Sequence, residues 1–506
     1  MRIQSAVNSL ATEDLPELNK VRPSLVLRLW HKISSFPALL AAIIIARVYW
    51  TCRNNIVDPD IWWHLRNAQY LLTNLHFPNL DSYSFTAAGS PWLNHEWLSE
   101  IFFYCAFRVW GLQGIFVVFT AVLSVLMIVV FALCLKLSQD PFAAAIATIF
   151  GGLLAMVGFT PRAQNFGWLC FVATYAILLH FRSTKKGPLW LIPILFCIWI
   201  NCHGSWLIGL FVYAIFVCAG LVRRDFGQVA AAPWSKSELR KLIVTGLVSI
   251  GALFANPFGY RVVLYPLDMV FRQSINVGNV EEWASVNFND FRGKLVALVL
   301  VAIFVMALSG RRRWRIDDIL LTIFVLYCGL SHIRFLLLAG IVLPPIMARQ
   351  IGRISSYDPR RERRLLNSVL LTIVAGICIL GFPSSRMLNG EILGFFPVRA
   401  VQFLRTHPQQ GRIFNLYQWG GYLEWNLPQL PTFIDSRTDI FEYKGVLKDY
   451  LDSITLSQSE EILDRYQVTY VLYAADAPLP YFLSKNLQWV RIYSDDQAVI
   501  YRRLGS

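Results

Sequence analysis

The stretch FPALLAAIIIARVYW (36–50), with DPDIWWH (58–64) close behind it, decides the reading of this chain. The first is an apolar run that, with its flanks, approaches the ~20 residues needed to cross a bilayer as a helix. The second crowds two carboxylates, two tryptophans and a histidine against the end of that run. Ionisable groups are costly at membrane depth unless they face a wet cavity or bind something charged. The functional argument therefore turns on which side of the membrane they face and what gathers there with them.

Working outward, the same apolar pattern fills most of the chain. Of its 506 residues 56% are hydrophobic, and the mean hydropathy is +0.47, values that few soluble domains reach. A polytopic membrane protein follows. The net charge of +14 suits the cytoplasmic loops of such a protein, and no nucleic-acid partner is expected. The nine cysteines lie in or beside apolar runs and form no CxxC pair, so neither disulfides nor a zinc site is predicted. Residues 1–34 are mostly polar and no A-x-A site follows the first run, which predicts an uncleaved cytoplasmic segment. Within it PSLVLRLWHKISSF (23–36) has the amphipathic pattern of an interfacial helix.

Apolar runs predict about eleven spans, near 35–52, 113–136, 141–160, 164–181, 188–201, 205–222, 242–256, 293–309, 317–331, 333–348 and 365–382. Together they make an all-α membrane core over 35–382 that includes a long first loop, 51–112. The runs at 188–201 and 242–256 are short for a full crossing. Lysine and arginine then orient the core. KK at 185–186, RR at 223–224, RK at 240–241, RRRWR at 311–315 and RRERR at 360–364 all fall in one set of connections. By the positive-inside rule that set is cytoplasmic, so DPDIWWH and everything after residue 382 face outward.

Beyond 382 the pattern changes. Short apolar runs at RIFNLY (412–417), PTFIDSR (431–437), VTYVLYA (468–474), WVRIY (489–493) and AVIYRR (498–503) alternate with helical stretches such as YKGVLKDYLDSI and SEEILDRY. Alternation of this kind predicts a small soluble α/β domain over 383–506, on the periplasmic or lumenal side.

The outward ends of the spans collect polar residues. They include Asp58, Asp60 and His64, then Asp81, then His95 and Glu96 in PWLNHEW; Arg162 in TPRAQN; His203 in NCHGSW; and His332 and Arg334 in SHIRF. NPFGYR (256–261) and VEEW (280–283) lie on the same side. Four of the eight histidines are in this set. Carboxylates and imidazoles supply acid/base capacity, and the planar fork of arginine suits a phosphate.

At these residues the chain resembles the GT-C superfamily of membrane glycosyltransferases. The segment DPDIWWHLRNAQYLL…FPNLDSYSF…PWLNHEWLSE is similar to the first loop of such enzymes, and the topology resembles theirs over most of the chain. The resemblance implies a polyprenyl-phosphate-linked sugar donor, a glycan, lipid or protein acceptor, and a catalytic carboxylate in the first loop. Asp60 matches that acid best, because a helical pattern begins directly after it, with Asp58 as runner-up and Glu96 and His95 as further candidates. Arg162, Arg334, His203, His332 and His64 are the candidates for the donor phosphate. Some GT-C enzymes carry Mg²⁺ or Mn²⁺, for which Asp58, Asp60, Asp81 and Glu96 offer oxygens, though no spacing fixes such a site.

Each residue also has a plainer reading. Asp58 or Asp60 suits an N-cap before IWWHLRNAQYLL. Trp62 and Trp63 read as interfacial anchors ahead of sugar platforms. Arg162 and Arg334 suit neutralisation of nearby carboxylates, His203 suits a helix cap, and Asp435 and Arg437 in FIDSRTD suit a mutual ion pair. GGYLEW predicts a tight turn. Two rival functions use similar chemistry or substrates: a polysaccharide polymerase or ligase, and a transporter or flippase of lipid-linked saccharides. The polymerases carry their large outward loop later in the chain. Transporters carry mid-membrane polar groups and internal repeats, and no repeat is evident here.

Overall fold

The computed structural model describes residues 24–309, 312–408 and 410–505, so most of the N-terminal segment and Arg311 lie outside the described residues. Every expected span coincides with a helix: Phe36–Arg53, Trp97–Ser138, Pro141–Ala155, Gln164–Thr184, Leu191–Ile200, Trp206–Ala219, Lys236–Ala252, Phe291–Ser309, Ile316–Ser331, Leu336–Ile351 and Arg364–Leu380. Among the described residues six helices are long and apolar enough to cross a membrane, or seven if the bent pair Arg364–Leu380 and Ser385–Phe395 forms one span. Leu191–Ile200 and Trp206–Ala219 are apolar but shorter.

Sequence chemistry sets the helix starts. Ser35 accepts the Ala38 N–H at 3.3 Å ahead of Phe36–Arg53, and Asp140 accepts the Ala143 N–H at 2.9 Å. Ser235 and Glu238 cap each other before Lys236–Ala252. At the centre Leu336–Ile351 is buried nearly throughout against Pro141–Ala155. Glycines permit this approach: a Cβ on Gly151 would meet the Gly340 carbonyl oxygen at 2.5 Å, and one on Gly340 would meet that of Gly151 at 2.5 Å.

The two sets of connections separate as the basic pattern predicts. Phe36 N–H donates to Glu362 at 2.9 Å, Ser355 N–H to Asp140 at 2.8 Å and Arg182 Nε to Asp317 at 3.3 Å, while Val229 pairs with Trp314. These contacts join only connections of the basic set. Leu25–Ile33 forms the short helix expected before the first span, with Leu25, Val26, Leu29, Trp30 and Ile33 exposed.

The C-terminal region holds a four-stranded sheet in the order Ile413–Asn415, Tyr470–Ala474, Ala498–Arg503, Trp489–Ser494. The first pair is parallel and the other two pairs are antiparallel. Helices Val446–Ile454, Ser459–Arg465 and Pro478–Lys485 complete it. Two motifs depart from expectation. PTFIDSR is no strand: the Asn415 side chain takes the Phe433 N–H at 2.9 Å and donates to the Ile434 carbonyl at 2.8 Å, consuming the groups a ladder needs. GGYLEW is no tight turn but the helix Gly420–Asn426, which packs on the loop helix Ile61–Asn74. First-loop residues reach the same region, where Phe85 N–H donates to the Thr432 carbonyl at 3.0 Å and Thr432 N–H returns to that of Tyr83 at 3.1 Å.

Candidate active site

The DPDIWWH turn divides its two aspartates. Asp58, 1% exposed, accepts the Asp60 N–H at 3.0 Å through Oδ1, an Asx-type turn that starts the helix Ile61–Asn74. Asp60 occupies the N-cap position, yet its side chain makes no capping bond. Its nearest donor is Trp63 Nε1 at 3.5 Å, which lies closer to Ser436 Oγ at 3.0 Å. Neither carboxylate therefore caps the helix: Asp58 shapes the turn before it, and Asp60 makes no capping bond.

Trp62 and Trp63 are not interfacial anchors. Both are buried: Trp62 stands edge-on to Phe396 and Tyr422, and Trp63 edge-on to Trp92. Burying two indoles at a loop-helix start needs a partner surface, and the Gly420–Asn426 helix supplies it. A Cβ on Gly421 would meet the Pro59 carbonyl oxygen at 3.1 Å and Trp63 Cδ1 at 3.2 Å. A side chain here would press on the turn that carries Asp60, which glycine avoids.

Asp58, Asp60, His64, His95, Glu96, Arg162, His203 and Arg334 line one cavity of about 1090 Å³. The remaining candidate, His332, turns away, with its Nδ1 2.6 Å from the Trp283 carbonyl oxygen. Arg162 donates to Asp58 Oδ2 through Nε at 2.5 Å and contacts Glu282 through Nη1, so the neutralising reading holds for its guanidinium. Burial pushes the Asp58 carboxyl up, and Arg162 opposes that shift. Arg334 differs: its guanidinium lies 4.4 Å from the centre of the Trp283 ring, and among the described residues no carboxylate pairs with it.

Glu96 is ringed by three imidazoles, with His203 Nε2 at 3.5 Å and His64 and His95 Nε2 each at 3.8 Å. His203 Nδ1 accepts the Ser205 N–H at 3.0 Å, so a neutral His203 carries its proton on Nε2, toward Glu96. Burial, helped by the Arg334 charge, holds His203 well below the usual histidine range, and burial lowers His95 to about 4. Burial also raises Glu96 to about 7 although the nearby His64 opposes it. His64 Nδ1 in turn lies 2.9 Å from Glu100, which also accepts from Asn67 and Asn94. Burial would lower His64, but Glu100, Glu96 and Asp60 outweigh it and hold the ring above its usual range.

The opposite wall comes from the C-terminal region and from the segment between the seventh and eighth helices of the core. Tyr265 donates to Asp439 at 3.2 Å and lies tilted against His95 with ring centres 4.3 Å apart. Burial raises Asp439 to about 6. Asp439 falls inside FIDSRTD and Glu282 inside VEEW, but nothing in the sequence singled out either residue, and Tyr265 sits in an ordinary amphipathic pattern. Asp435 and Arg437 do pair, at 2.9 and 2.6 Å, and Arg437 also reaches Asp81 at 2.8 Å and Glu424 at 3.7 Å.

The four carboxylates with oxygens suited to Mg²⁺ or Mn²⁺ do not converge. Asp58 is committed to Arg162, and Asp81 is held by Arg437 and by Ser84 Oγ at 2.6 Å, outside the cavity lining. Among the described residues no set of three or more His, Cys, Asp or Glu side chains is arranged to hold a metal ion. Among the described residues the donor set therefore does not fit a resident cation.

No family model and no curated protein matches the sequence. Solved structures do match in fold. The archaeal oligosaccharyltransferase AglB from Archaeoglobus fulgidus, in complex with an inhibitory peptide and a dolichol-phosphate, superposes with a TM-score of 0.55 at 12% identity. That match covers 95% of this chain and 75% of AglB. ArnT from Cupriavidus metallidurans gives a TM-score of 0.51 in the apo state, at 14% identity over 91% of this chain and 96% of ArnT. Its complex with undecaprenyl phosphate gives 0.50, also at 14% identity, over 95% and 98%. The chain thus shares the fold of these solved structures. It shares that fold across nearly its whole length with both an oligosaccharyltransferase and ArnT.

Proposed function

We propose that this chain is an integral-membrane glycosyltransferase. It moves a sugar from a polyprenyl-phosphate-linked donor to a glycan, lipid or protein acceptor on the outward face, with Asp60 as general base. One observation carries the reading: within a GT-C fold, an uncapped carboxylate (Asp60) and an unpaired guanidinium (Arg334) line the same cavity. In the reaction the acceptor oxygen attacks the anomeric carbon while its proton passes to Asp60. The bond from that carbon to the phosphate oxygen breaks, and its electron pair stays on the phosphate. The oxocarbenium-like transition state needs a base opposite the leaving group and a cation beside it. Arg334 supplies the cation, and the Nε2–H of His203 is a neutral donor nearby. Arg162 acts through Asp58 as a positioning residue, and the Glu96 cluster buffers the proton count.

On this reading all eleven helices of the core cross the bacterial inner membrane or traverse it in part, with the N-terminus cytoplasmic. Residues 383–506 form a periplasmic domain that closes the cavity from outside. The test is transfer in liposomes holding the purified protein and a set of radiolabelled polyprenyl-phosphate sugars, scored by release of free polyprenyl phosphate with an envelope extract as acceptor. Acceptor-dependent release is expected. If the protein neither binds polyprenyl phosphate nor releases it, the proposal fails.

A further inference from the structure

The helix Tyr260–Arg272 joins the seventh and eighth helices of the core on the same side as the cavity, and it has two apolar faces. Residues three and four apart share a face of a helix. Tyr265 and Met269 are so placed and line the cavity, where Tyr265 donates to Asp439, and Val262 on the same side is buried. Tyr260, Leu264, Leu267 and Phe271 make the opposite stripe. All four are exposed, Leu267 least at 42% and Phe271 most at 81%. Single apolar side chains on a surface are ordinary, but a continuous stripe of four needs something to cover it. Arg261, Asp268 and Arg272 share one flank between the two faces. Both arginines are exposed, and Arg272 lies 3.4 Å from Asp268.

Continuity with the neighbouring helices says what covers the stripe. The chain enters this helix from Lys236–Ala252 and leaves it toward Phe291–Ser309. Both carry exposed apolar side chains, Val244, Leu247 and Val248 on the first and Val301, Phe304 and Leu308 on the second, and Phe291–Ser309 is long and apolar enough to cross a bilayer. Acyl chains cover such surfaces, which would be costly in water. Phe254, Phe288 and Phe291, all exposed, extend the same surface from those two helices toward the stripe. We propose that Tyr260–Arg272 is seated in the bilayer leaflet on the cavity side, with Tyr260, Leu264, Leu267 and Phe271 among the acyl chains and Arg261 and Arg272 at the phosphates of phospholipid headgroups. A helix with an aromatic and aliphatic face, flanked by arginines, lies this way in the interface. Its other face is the cavity wall, so phospholipid supports that wall from behind. The leaflet is the outer one in the topology proposed above, but the seating itself rests neither on that topology nor on sugar transfer.

Photo-crosslinking tests the seating. The photoreactive residue p-benzoylphenylalanine is placed in turn at Leu264, at Phe271 and at Leu487, an exposed residue of the C-terminal region, in the full chain. Each protein is held in nanodiscs of phosphatidylethanolamine and phosphatidylglycerol. All three side chains are exposed, so each variant should melt close to wild type. After irradiation, intact mass should show a phospholipid added at Leu264 and at Phe271 severalfold more often than at Leu487. Lipid addition at Leu264 and Phe271 no higher than at Leu487 overturns the proposal. So does a mass of two joined chains, which would mean that a second copy covers the stripe. The arginines are tested separately: Arg261→Glu combined with Arg272→Glu should lower the share of anionic phosphatidylglycerol among the lipids captured at Leu264. An unchanged share contradicts their placement at the headgroups.

Discussion

Asp58 takes the Asp60 N–H on one carboxylate oxygen at 3.0 Å and Arg162 Nε on the other at 2.5 Å. The neighbouring aspartates therefore differ in kind: Asp58 shapes the turn and anchors an arginine, while the Asp60 carboxylate has only a long contact with Trp63 Nε1. Removing the charge of Asp58 leaves a sheltered guanidinium short of a partner. Breaking a buried pair typically costs roughly 3–5 kcal/mol, and the lower end applies because Arg162 keeps Glu282 and is partly exposed. In detergent, Asp58→Asn should melt well below wild type, whereas Asp60→Asn should melt close to it. A reversed order would exchange their roles.

Gly421 couples the C-terminal region to the same turn. Gly421→Ala gains helix propensity of about 1 kcal/mol, and overpacking costs roughly 1–3 kcal/mol, so stability should change little. The new methyl must still push on the Pro59 carbonyl and Trp63, next to Asp60. The contacts require the turn to give by a few tenths of an ångström, so the loss in rate should be smaller than the roughly hundredfold that a 1 Å misplacement can cost. A clear loss of kcat with an unchanged melt is expected; an unchanged kcat would show that the helix contact does not position the turn.

Glu96 sets a pH dependence. With its carboxyl raised to about 7, it loses a proton as the pH climbs through that value, and the cavity becomes one charge more negative. The gain opposes an anionic ligand, so affinity for undecaprenyl phosphate should fall between about pH 6 and 8. The phosphate titrates as well, so Glu96→Gln serves as reference: its curve should be flatter, with the difference centred near 7. Parallel curves would remove Glu96 from the site.

Topology is testable by itself. Reporter fusions after residues 186, 314 and 362 should read cytoplasmic, and those after 75, 275 and 450 should read outside. A cytoplasmic signal at 75 or 450 would put the cavity in the wrong compartment for an outward transferase.

Much of this was legible in the sequence because apolar runs and basic loops are local signals. All eleven runs coincide with helices, and four of the five short apolar runs beyond residue 382 contain strands. The cavity was legible in part, since costly polar groups at span ends must gather somewhere: eight of the nine candidate residues line it, while His332 does not and Tyr265, Glu282 and Asp439 gave no local signal. Hidden from the sequence was everything set by a remote partner. Trp62 and Trp63 look interfacial until Gly421 brings a helix from more than three hundred residues away, and Thr432 pairs with Ser84 where a continuous strand was expected. Arg162 and Arg334 look alike in sequence, yet one is neutralised by Asp58 and Glu282 and the other stacks on Trp283.

The central claim is that Asp60 accepts the acceptor's proton, and the single-turnover transfer rate of Asp60→Asn at saturating donor tests it most directly. Asparagine keeps the size and the contact with Trp63 but cannot take a proton. Loss of a general base typically lowers the rate about 10²–10⁴-fold, and a fall of that size in a folded variant that still binds undecaprenyl phosphate is the predicted result. A rate close to wild type would contradict the account.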